Sequence, residues 1–261
     1  MKRLRKITYL GDYINGAFII PPEKSESFVA LNPGNLDDDV IGEFHAAYDH
    51  IYQAVNAARA AFPKWSVLTA SSRANHLNKL YSEIESHLNE IAETISRETG
   101  KPFWEAEQEA KGLLGKIQIT IKEGMKLIEE KEISDAYPKV TGRYRYKPKG
   151  VMAVMGPFNF PLHLPQGHFI PALLTGNTVV FKPSEKTPAS GQIITEMIHR
   201  SGFPPGVFNL IQGGAEVGKR LCLSSGIDGI LFTGSYEVGL KIKKETASHF
   251  WKTTALEMGG K

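Results

Sequence analysis

Residues 151–161 read VMAVMGPFNFP, a short apolar run that ends at once in a turn rich in glycine and proline. An apolar run of this length between turn residues is typical of a buried strand. Gly156, Pro157 and Pro161 make the turn tight and rigid, and a helical pattern follows over residues 164–174. The stretch therefore predicts a strand, a turn and a helix in succession.

The same unit repeats to the end of the chain. Strands are predicted at residues 151–155, 178–181, 207–211, 229–232 and 254–257. Helices fit between them, at residues 164–174, 189–201, 215–224 and 236–249. This alternation predicts an α/β fold over residues 140–261, with a Rossmann-like, five-stranded, mainly parallel sheet. Ligands bind such sheets at the carboxyl ends of the strands, so the residues just after each strand are the candidates for function.

Residues 1–139 differ in pattern, and we expect them to form an N-terminal hairpin and helical segment that packs on the sheet. The Asn15-Gly16 pair between apolar flanks predicts the hairpin. Apolar residues at helical spacing predict three helices after it. The second has apolar residues from Leu77 to Ile91 on one face and Ser71 or Ser72 as its N-cap. The third begins near Pro102 and has apolar residues at helical spacing from Leu114 to Ile128.

The composition limits the kinds of partner. The chain has 31 basic and 28 acidic residues, a net charge of +3 that gives no case for nucleic acid. No apolar run approaches the roughly 18 residues needed to cross a membrane, and no secretory signal is visible. The single cysteine, Cys222, is compatible with a reducing compartment, so we expect a soluble cytoplasmic protein. His163 and His168 lack the spacing of a helical metal site, and no metal is predicted.

Polar residues follow the first two predicted strands. Asn159 lies in the first turn, where its amide could stabilise an oxyanion or could simply form the turn. Lys182 and Glu185 could bracket a ribose, the ammonium donating to its hydroxyls and the carboxylate accepting from them. A carboxylate there favours NAD over NADP because it repels a 2′-phosphate. The alternative is that Ser184 or Glu185 only begins the next helix.

A glycine-rich turn follows the third strand, from Gly213 to Gly218. With Lys219 it nearly matches a phosphate-binding P-loop, but Arg220 stands where serine or threonine should bind magnesium. The other interpretation is a turn at Gly213 that lets a dinucleotide approach the backbone.

The last two strands end in further candidates. Gly234 and Ser235 follow the fourth strand, where Ser235 is predicted to cap a helix whose N–H groups could face a pyrophosphate. Glu257 ends the fifth strand beside two glycines and is a candidate general base. Cys222 falls within the apolar pattern of a predicted helix, so we interpret it as a core residue rather than a nucleophile.

Taken in this order, the motifs resemble those of the aldehyde dehydrogenase superfamily over essentially the whole chain. In that family the residue matching Asn159 helps to form an oxyanion hole, and the one matching Glu257 is the general base. The residues matching Lys182 and Glu185 bind the adenosine ribose, and those matching Phe158, Gly234 and Ser235 line the cofactor. The resemblance implies NAD(P)-dependent oxidation of an aldehyde to an acid through a catalytic thiolate.

A narrower resemblance concerns the substrate and the missing thiolate. Residues 97–106, 156–168 and 255–260 are similar to the succinylglutamate semialdehyde dehydrogenases of arginine degradation. In the family the catalytic cysteine lies in a second domain after the strand bearing Glu257, so we expect this domain to be absent and the chain alone to be inactive. It could be one half of a split enzyme with a separately encoded catalytic half, a truncated product, or a relic.

The resemblance also implies partners. The ligands are NAD and a small-molecule aldehyde, and the parent enzyme is expected to be a homo-oligomer. The alternative function is a non-catalytic remnant that binds dinucleotide or a partner chain.

Overall fold

The computed structural model describes residues 6–37 and 39–259 of the chain. The strands within these ranges are β1 (Asp12–Ile14), β2 (Ala17–Ile19), β3 (Glu26–Leu31), β4 (Val40–Ala46), β5 (Lys131–Tyr137), β6 (Val140–Tyr144), β7 (Val151–Met155), β8 (Thr178–Lys182), β9 (Phe208–Leu210), β10 (Gly229–Thr233) and β11 (Thr253–Glu257). The α-helices are α1 (Tyr48–Ser66), α2 (Ala70–Ser86), α3 (Leu88–Thr99), α4 (Phe103–Lys122), α5 (His163–Leu174), α6 (Pro188–Arg200), α7 (Ala215–Leu223) and α8 (Tyr236–Thr246).

Seven strands form one sheet, in the order β11, β10, β7, β8, β9, β1 and β2. All neighbouring strands from β11 to β9 run parallel. After β9 the chain returns to the other side of β7 to form β10, so the strand order reverses between β7 and β10. Ligands of open α/β sheets bind in the crevice at such a reversal, beyond the carboxyl ends of the strands.

Helices cover both faces of this sheet. Val151, Ala153 and Met155 of β7 belong to one apolar cluster, which includes residues of α1 and α7. Met152 and Val154 belong to another, which includes residues of α5 and α6. Helices α2, α3 and α4 pack outside α5 and α6. A parallel sheet needs cover on both faces, which is why its strands appear in the sequence as continuous apolar runs.

The predicted parallel sheet is confirmed, but the whole sheet has seven strands rather than five. The predicted hairpin supplies the other two. Asn15 and Gly16 have φ of 52° and 88°, as a two-residue turn with positive φ at both positions requires. Strand β1 then pairs antiparallel with β9 through Tyr13 and Leu210. The sequence did not reveal this pairing because the two strands are far apart along the chain.

The helical segment differs in detail from the prediction. The pattern over residues 77–91 belongs to two helices, α2 and α3, which meet at His87. The N-cap of α2 is Thr69, whose hydroxyl accepts a hydrogen bond from the Ser72 amide, and not Ser71 or Ser72. Helix α4 ends at Lys122, and residues 124–128 form a 3-10 helix. Apolar spacing continues across such breaks, so periodicity alone does not locate them.

Two further hairpins, β3–β4 and β5–β6, were not predicted. Every residue of β5 is exposed, so the strand has no alternation of buried and exposed residues for a pattern to detect. The predicted boundary between residues 139 and 140 lies at the turn between β5 and β6. The division of the chain into two domains at this point stays a prediction.

Candidate functional site

The registers of the parallel strands bring the candidate residues to one edge of the sheet. Met155 of β7 lies opposite both Lys182 of β8 and Phe232 of β10, and Thr233 of β10 lies opposite Glu257 of β11. The segments that follow these strands therefore begin side by side at the reversal in strand order. The predicted site residues on or next to this edge are Phe158, Asn159, Lys182, Glu185, Gly213, Gly234, Ser235 and Glu257.

A buried ion pair contacts the turn after β7. Lys101 Nζ donates to the backbone carbonyl of Asn159 and to Glu109 Oε2, at 2.9 Å in each case. Glu109 Oε1 accepts the amides of Leu162 and His163 at 3.1 Å. Both sides of the turn are thus bound to this pair, while Asn159 itself is exposed. A side-chain amide on a rigid turn is well suited to donate a hydrogen bond to an oxyanion, because it needs little reorganisation during the reaction.

Two aromatic rings of the same turn face cations from neighbouring segments. The Phe158 ring is half-exposed, and Lys186 Nζ lies 4.6 Å from its centroid. Lys101 Nζ lies 4.0 Å from the centroid of Phe160. These cation–π contacts connect the turn after β7 to the turn after β8 and to the segment before α4.

Lys182 is buried at the end of β8, and its ammonium contacts the backbone. Nζ donates to the carbonyls of Pro183 at 2.7 Å and Gly213 at 2.8 Å, and it lies 3.8 Å from Glu185 Oε2. Burial lowers the pKa of Lys182, and the Glu185 carboxylate opposes this shift. An ammonium has three donors, so the two carbonyls leave one for Glu185 or a ligand. The Glu185 side chain is 48% exposed, and its carboxylate is accessible.

The turn after β9 is shaped by glycine and is hydrogen-bonded to a carboxylate from β3. Gly213 has a φ of +137°, and a Cβ there would lie 2.4 Å from Val217 Cγ2, so only glycine fits. The Gly214 amide donates to Glu26 Oε2 at 2.7 Å. Glu26 thus occupies the N-terminus of α7, where a P-loop would bind phosphate. This geometry does not support the P-loop alternative, and a role for Gly213 in cofactor binding stays a prediction.

The turn after β10 leads into α8 and is hydrogen-bonded to β11, the outermost strand on that side of the sheet. Ser235 is the N-cap of α8, as predicted, and its hydroxyl accepts the Val238 amide at 3.3 Å. The Gly234 amide donates to the backbone carbonyl of Glu257 at 3.0 Å. The N-terminus of α8 and the exposed Glu257 therefore lie next to each other. The free N–H groups at a helix N-terminus can bind a pyrophosphate, and an exposed carboxylate can act as a proton acceptor.

A second buried carboxylate supports the turn after β8. Glu98 Oε1 and Oε2 accept the amides of Ala189 and Ser190 at the start of α6, each at 2.7 Å. Burial raises the pKa of Glu98 to about 7, although these hydrogen bonds act in the opposite direction. Sequence reasoning did not identify Glu98, Lys101 or Glu109 as site residues.

The sequence did contain a signal for one of these residues. Glu109 lies on the buried stripe of α4, together with Ala106, Ala110 and Leu113. A charged residue on an apolar stripe has to find a partner inside the fold, because burying an isolated charge is very unfavourable. Glu109 was therefore detectable as a residue with a specific partner, although its partner was not.

Cys222 is buried in α7, which confirms the prediction that it is a core residue. It is 2% exposed, and its Sγ lies 3.9 Å from Met155 Sδ. Burial raises the pKa of the thiol to about 12. The thiolate, which is the reactive form, is therefore very rare near neutral pH.

Residues 6–37 and 39–259 contain no group of three or more His, Cys, Asp or Glu residues that could hold a metal ion. No helix in them is long and apolar enough to cross a membrane. The cellular location stays a prediction.

Known proteins resemble this chain in sequence and in fold. The family model described as "Aldehyde dehydrogenase family" matches residues 19–261. An N-succinylglutamate 5-semialdehyde dehydrogenase of Escherichia coli K12 is 44% identical over 251 residues, which are 96% of this chain and 49% of that protein. The chain thus spans about half the length of the curated relatives that it matches.

Two solved structures show the same fold. An NAD-dependent aldehyde dehydrogenase from Sinorhizobium meliloti has a TM-score of 0.92 at 27% identity, over 100% of this chain and 52% of that one. An E. coli NADP dependent enzyme has a TM-score of 0.88 at 31% identity, over 96% of this chain and 52% of that one. Because the family model covers nearly the whole chain and the fold agrees, this chain belongs to the aldehyde dehydrogenase family.

Proposed function

We propose that this chain is the cofactor-binding part of an NAD-dependent enzyme that oxidises an aldehyde to a carboxylic acid. The proposal rests on the complementary groups that share one edge of the sheet. The half-exposed carboxylate of Glu185 and the ammonium of Lys182, 3.8 Å apart, suit the hydroxyls of a ribose. The N-terminus of α8 at Ser235 suits a pyrophosphate. The exposed ring of Phe158 offers a flat surface for the cofactor.

In this proposal the bound cofactor supplies the hydride acceptor. The amide of Asn159 donates to the oxyanion that forms when a nucleophile adds to the aldehyde. The carboxylate of Glu257 takes a proton from the water that releases the acid. Cys222 does not act as the nucleophile because it is buried in α7. The attacking thiolate is therefore assigned to another segment or to another chain.

For the substrate we propose succinylglutamate semialdehyde. The support is the 44% identity with the E. coli relative that is named for this compound.

Calorimetric titration of the chain with NAD tests the cofactor assignment. We expect binding at one site, and we expect Glu185→Ala to weaken it about tenfold, the effect of losing a hydrogen bond to a charged group. Glu130→Ala is the control, since Glu130 is an exposed residue that pairs with Arg143 in the β5–β6 hairpin. A folded chain that binds no NAD refutes the proposal.

Binding without catalysis is the second candidate function. Strand β11 is the outermost strand on one side of the sheet. Phe250 and Trp251, which precede it, are 91% and 45% exposed. An open strand edge beside exposed aromatic residues favours contact with another chain or segment. The two functions can be distinguished by mixing the chain with a polypeptide that carries the remaining half of the E. coli relative. NADH formation on mixing supports the enzyme, and association without turnover supports a binding remnant.

A further inference from the structure

Glu98 connects helix α3 to the turn that carries Glu185. Its carboxylate is buried, and its two oxygens accept the amides of Ala189 and Ser190 at 2.7 Å. These amides belong to the first turn of α6, which begins at Pro188, directly after the turn that follows β8. Glu98 is thus a carboxylate at the positive end of the α6 dipole.

The turn after β8 is packed closely enough to move with the start of α6. Gly191 in α6 faces Pro183, and a Cβ at Gly191 would lie 2.5 Å from Pro183 Cγ. Within the turn, the Thr187 amide donates to the Ser184 carbonyl at 3.0 Å. The Lys186 amide donates to Ser184 Oγ at 3.2 Å. The turn and the first turn of α6 therefore behave as one rigid unit, and Glu98 binds that unit from inside.

We propose that Glu98 is a positioning residue for the cofactor: its ionised carboxylate fixes the start of α6 and, through it, the position of Glu185 at the ribose. The inference rests on the proposed function, because it takes Glu185 as a ribose ligand. The charged group that acts on Glu98 is Arg97 of its own helix, which is itself paired with Asp39 at 2.6 Å. From α6, Glu98 is faced by the uncharged amides and hydroxyl of residues 189 and 190.

Protonation of Glu98 occurs within an accessible pH range, because burial raises its pKa to about 7. The ionised form accepts both amides, whereas protonation turns one oxygen into a donor that faces an N–H group. Affinity for NAD should therefore fall as the pH falls through 7. At pH 6 about one-tenth of Glu98 is ionised, so the apparent Kd rises up to about tenfold if only this form binds well.

NAD titrations of the chain at pH 6 and pH 8 test the inference. The unmutated chain should bind about tenfold more weakly at pH 6. Glu98→Gln should bind weakly at both values and show no pH dependence. The control is Glu196→Gln, which removes a partly exposed carboxylate of α6 that is paired with Arg200 and should behave as the unmutated chain does. Full affinity of Glu98→Gln at pH 8, or an unchanged pH dependence in that variant, overturns the inference.

A measurement without cofactor separates this inference from the proposed function. In the unmutated, ¹⁵N-labelled chain, the amide resonances of Ala189 and Ser190 should shift with a midpoint near pH 7. If these amide resonances do not shift between pH 6 and pH 8, the positioning role is refuted. This result does not depend on whether Glu98→Gln folds. A chain whose amides titrate but which binds no NAD instead refutes the proposed function.

Discussion

Burial in α7 determines the chemistry of the thiol of Cys222. Its pKa of about 12 lies far above that of a free thiol. We therefore expect a thiol reagent at pH 7.5 to label the folded chain slower than the denatured chain, by a factor on the order of 10³. Mass spectrometry over time measures both rates. The Cys222→Ser variant is the control: it should not be labelled, and it should bind NAD as the unmutated chain does. Rapid labelling that an aldehyde blocks would show that Cys222 is a nucleophile.

The charge of Glu185 provides a second test at the level of one residue. If its carboxylate lies at the ribose, it repels the 2′-phosphate of NADP, and the chain should prefer NAD. Replacing Glu185 with Gln removes the charge and should tighten NADP binding about tenfold, as expected for removing one like charge near the surface. Paired titrations with NAD and NADP measure the change.

Glu216→Gln is the matched control for this test, because Glu216 is an exposed carboxylate paired with Arg220 on α7. It should leave both affinities unchanged. Equal or tighter binding of NADP by the unmutated chain contradicts the assignment of Glu185.

Among the helices, α4 is bound to the turn after β7 through Lys101 and Glu109, and this contact should contribute strongly to stability. Glu109 is fully buried, so Lys101→Met leaves an unpaired charge inside the fold. We expect a loss of about 3 kcal/mol in the free energy of unfolding, measured in urea. Lys111→Met is the control, since Lys111 forms an exposed pair with Glu107 on the same helix. That exposed pair should contribute less than about 1 kcal/mol to the free energy of unfolding. Equal losses of stability in the two variants would show that the burial of Glu109 is not decisive.

The elements that the sequence predicted well are those whose signals are local. The five parallel strands are each an apolar run next to turn residues, and their observed bounds agree closely with the predicted ones. Asn15-Gly16 is likewise a local signal, and both residues have positive φ in the hairpin turn. The exposed β5–β6 hairpin has neither burial nor a strong turn signal, which is why the sequence did not reveal it.

The candidate site was predictable only as residues at strand ends. The strand registers then place these residues on one edge of the sheet, a consequence of the parallel topology. Contacts that support the site connect distant parts of the chain, such as Glu98 with Ala189 and Glu26 with Gly214. No local pattern encodes which partner a buried carboxylate will find, so these contacts required the structure.

The whole chain should bind the cofactor but should not oxidise an aldehyde by itself. Its one thiol is buried, and removal of a covalent nucleophile lowers kcat by a factor on the order of 10⁶ in a well-studied hydrolase. We expect no increase in NADH absorbance when the chain is incubated with NAD and succinylglutamate semialdehyde. Glu257→Gln defines the background rate. Turnover above that background, in a sample whose mass corresponds to residues 1–261, contradicts the prediction.

The pairing of β1 with β9 sets an order of events during synthesis on the ribosome. Asp12 accepts the amide of Gln212 at 2.8 Å across 200 residues of chain. At a rate of roughly 5–20 residues per second, the first hairpin waits on the order of 10–40 s before its partner strand has been made. A lone two-stranded hairpin is barely stable in water, so Tyr13 and Ile14, which are buried in the finished fold, stay accessible on the nascent chain. Residues translated early are thus among the last to fold, and throughout that interval they can be bound by a chaperone.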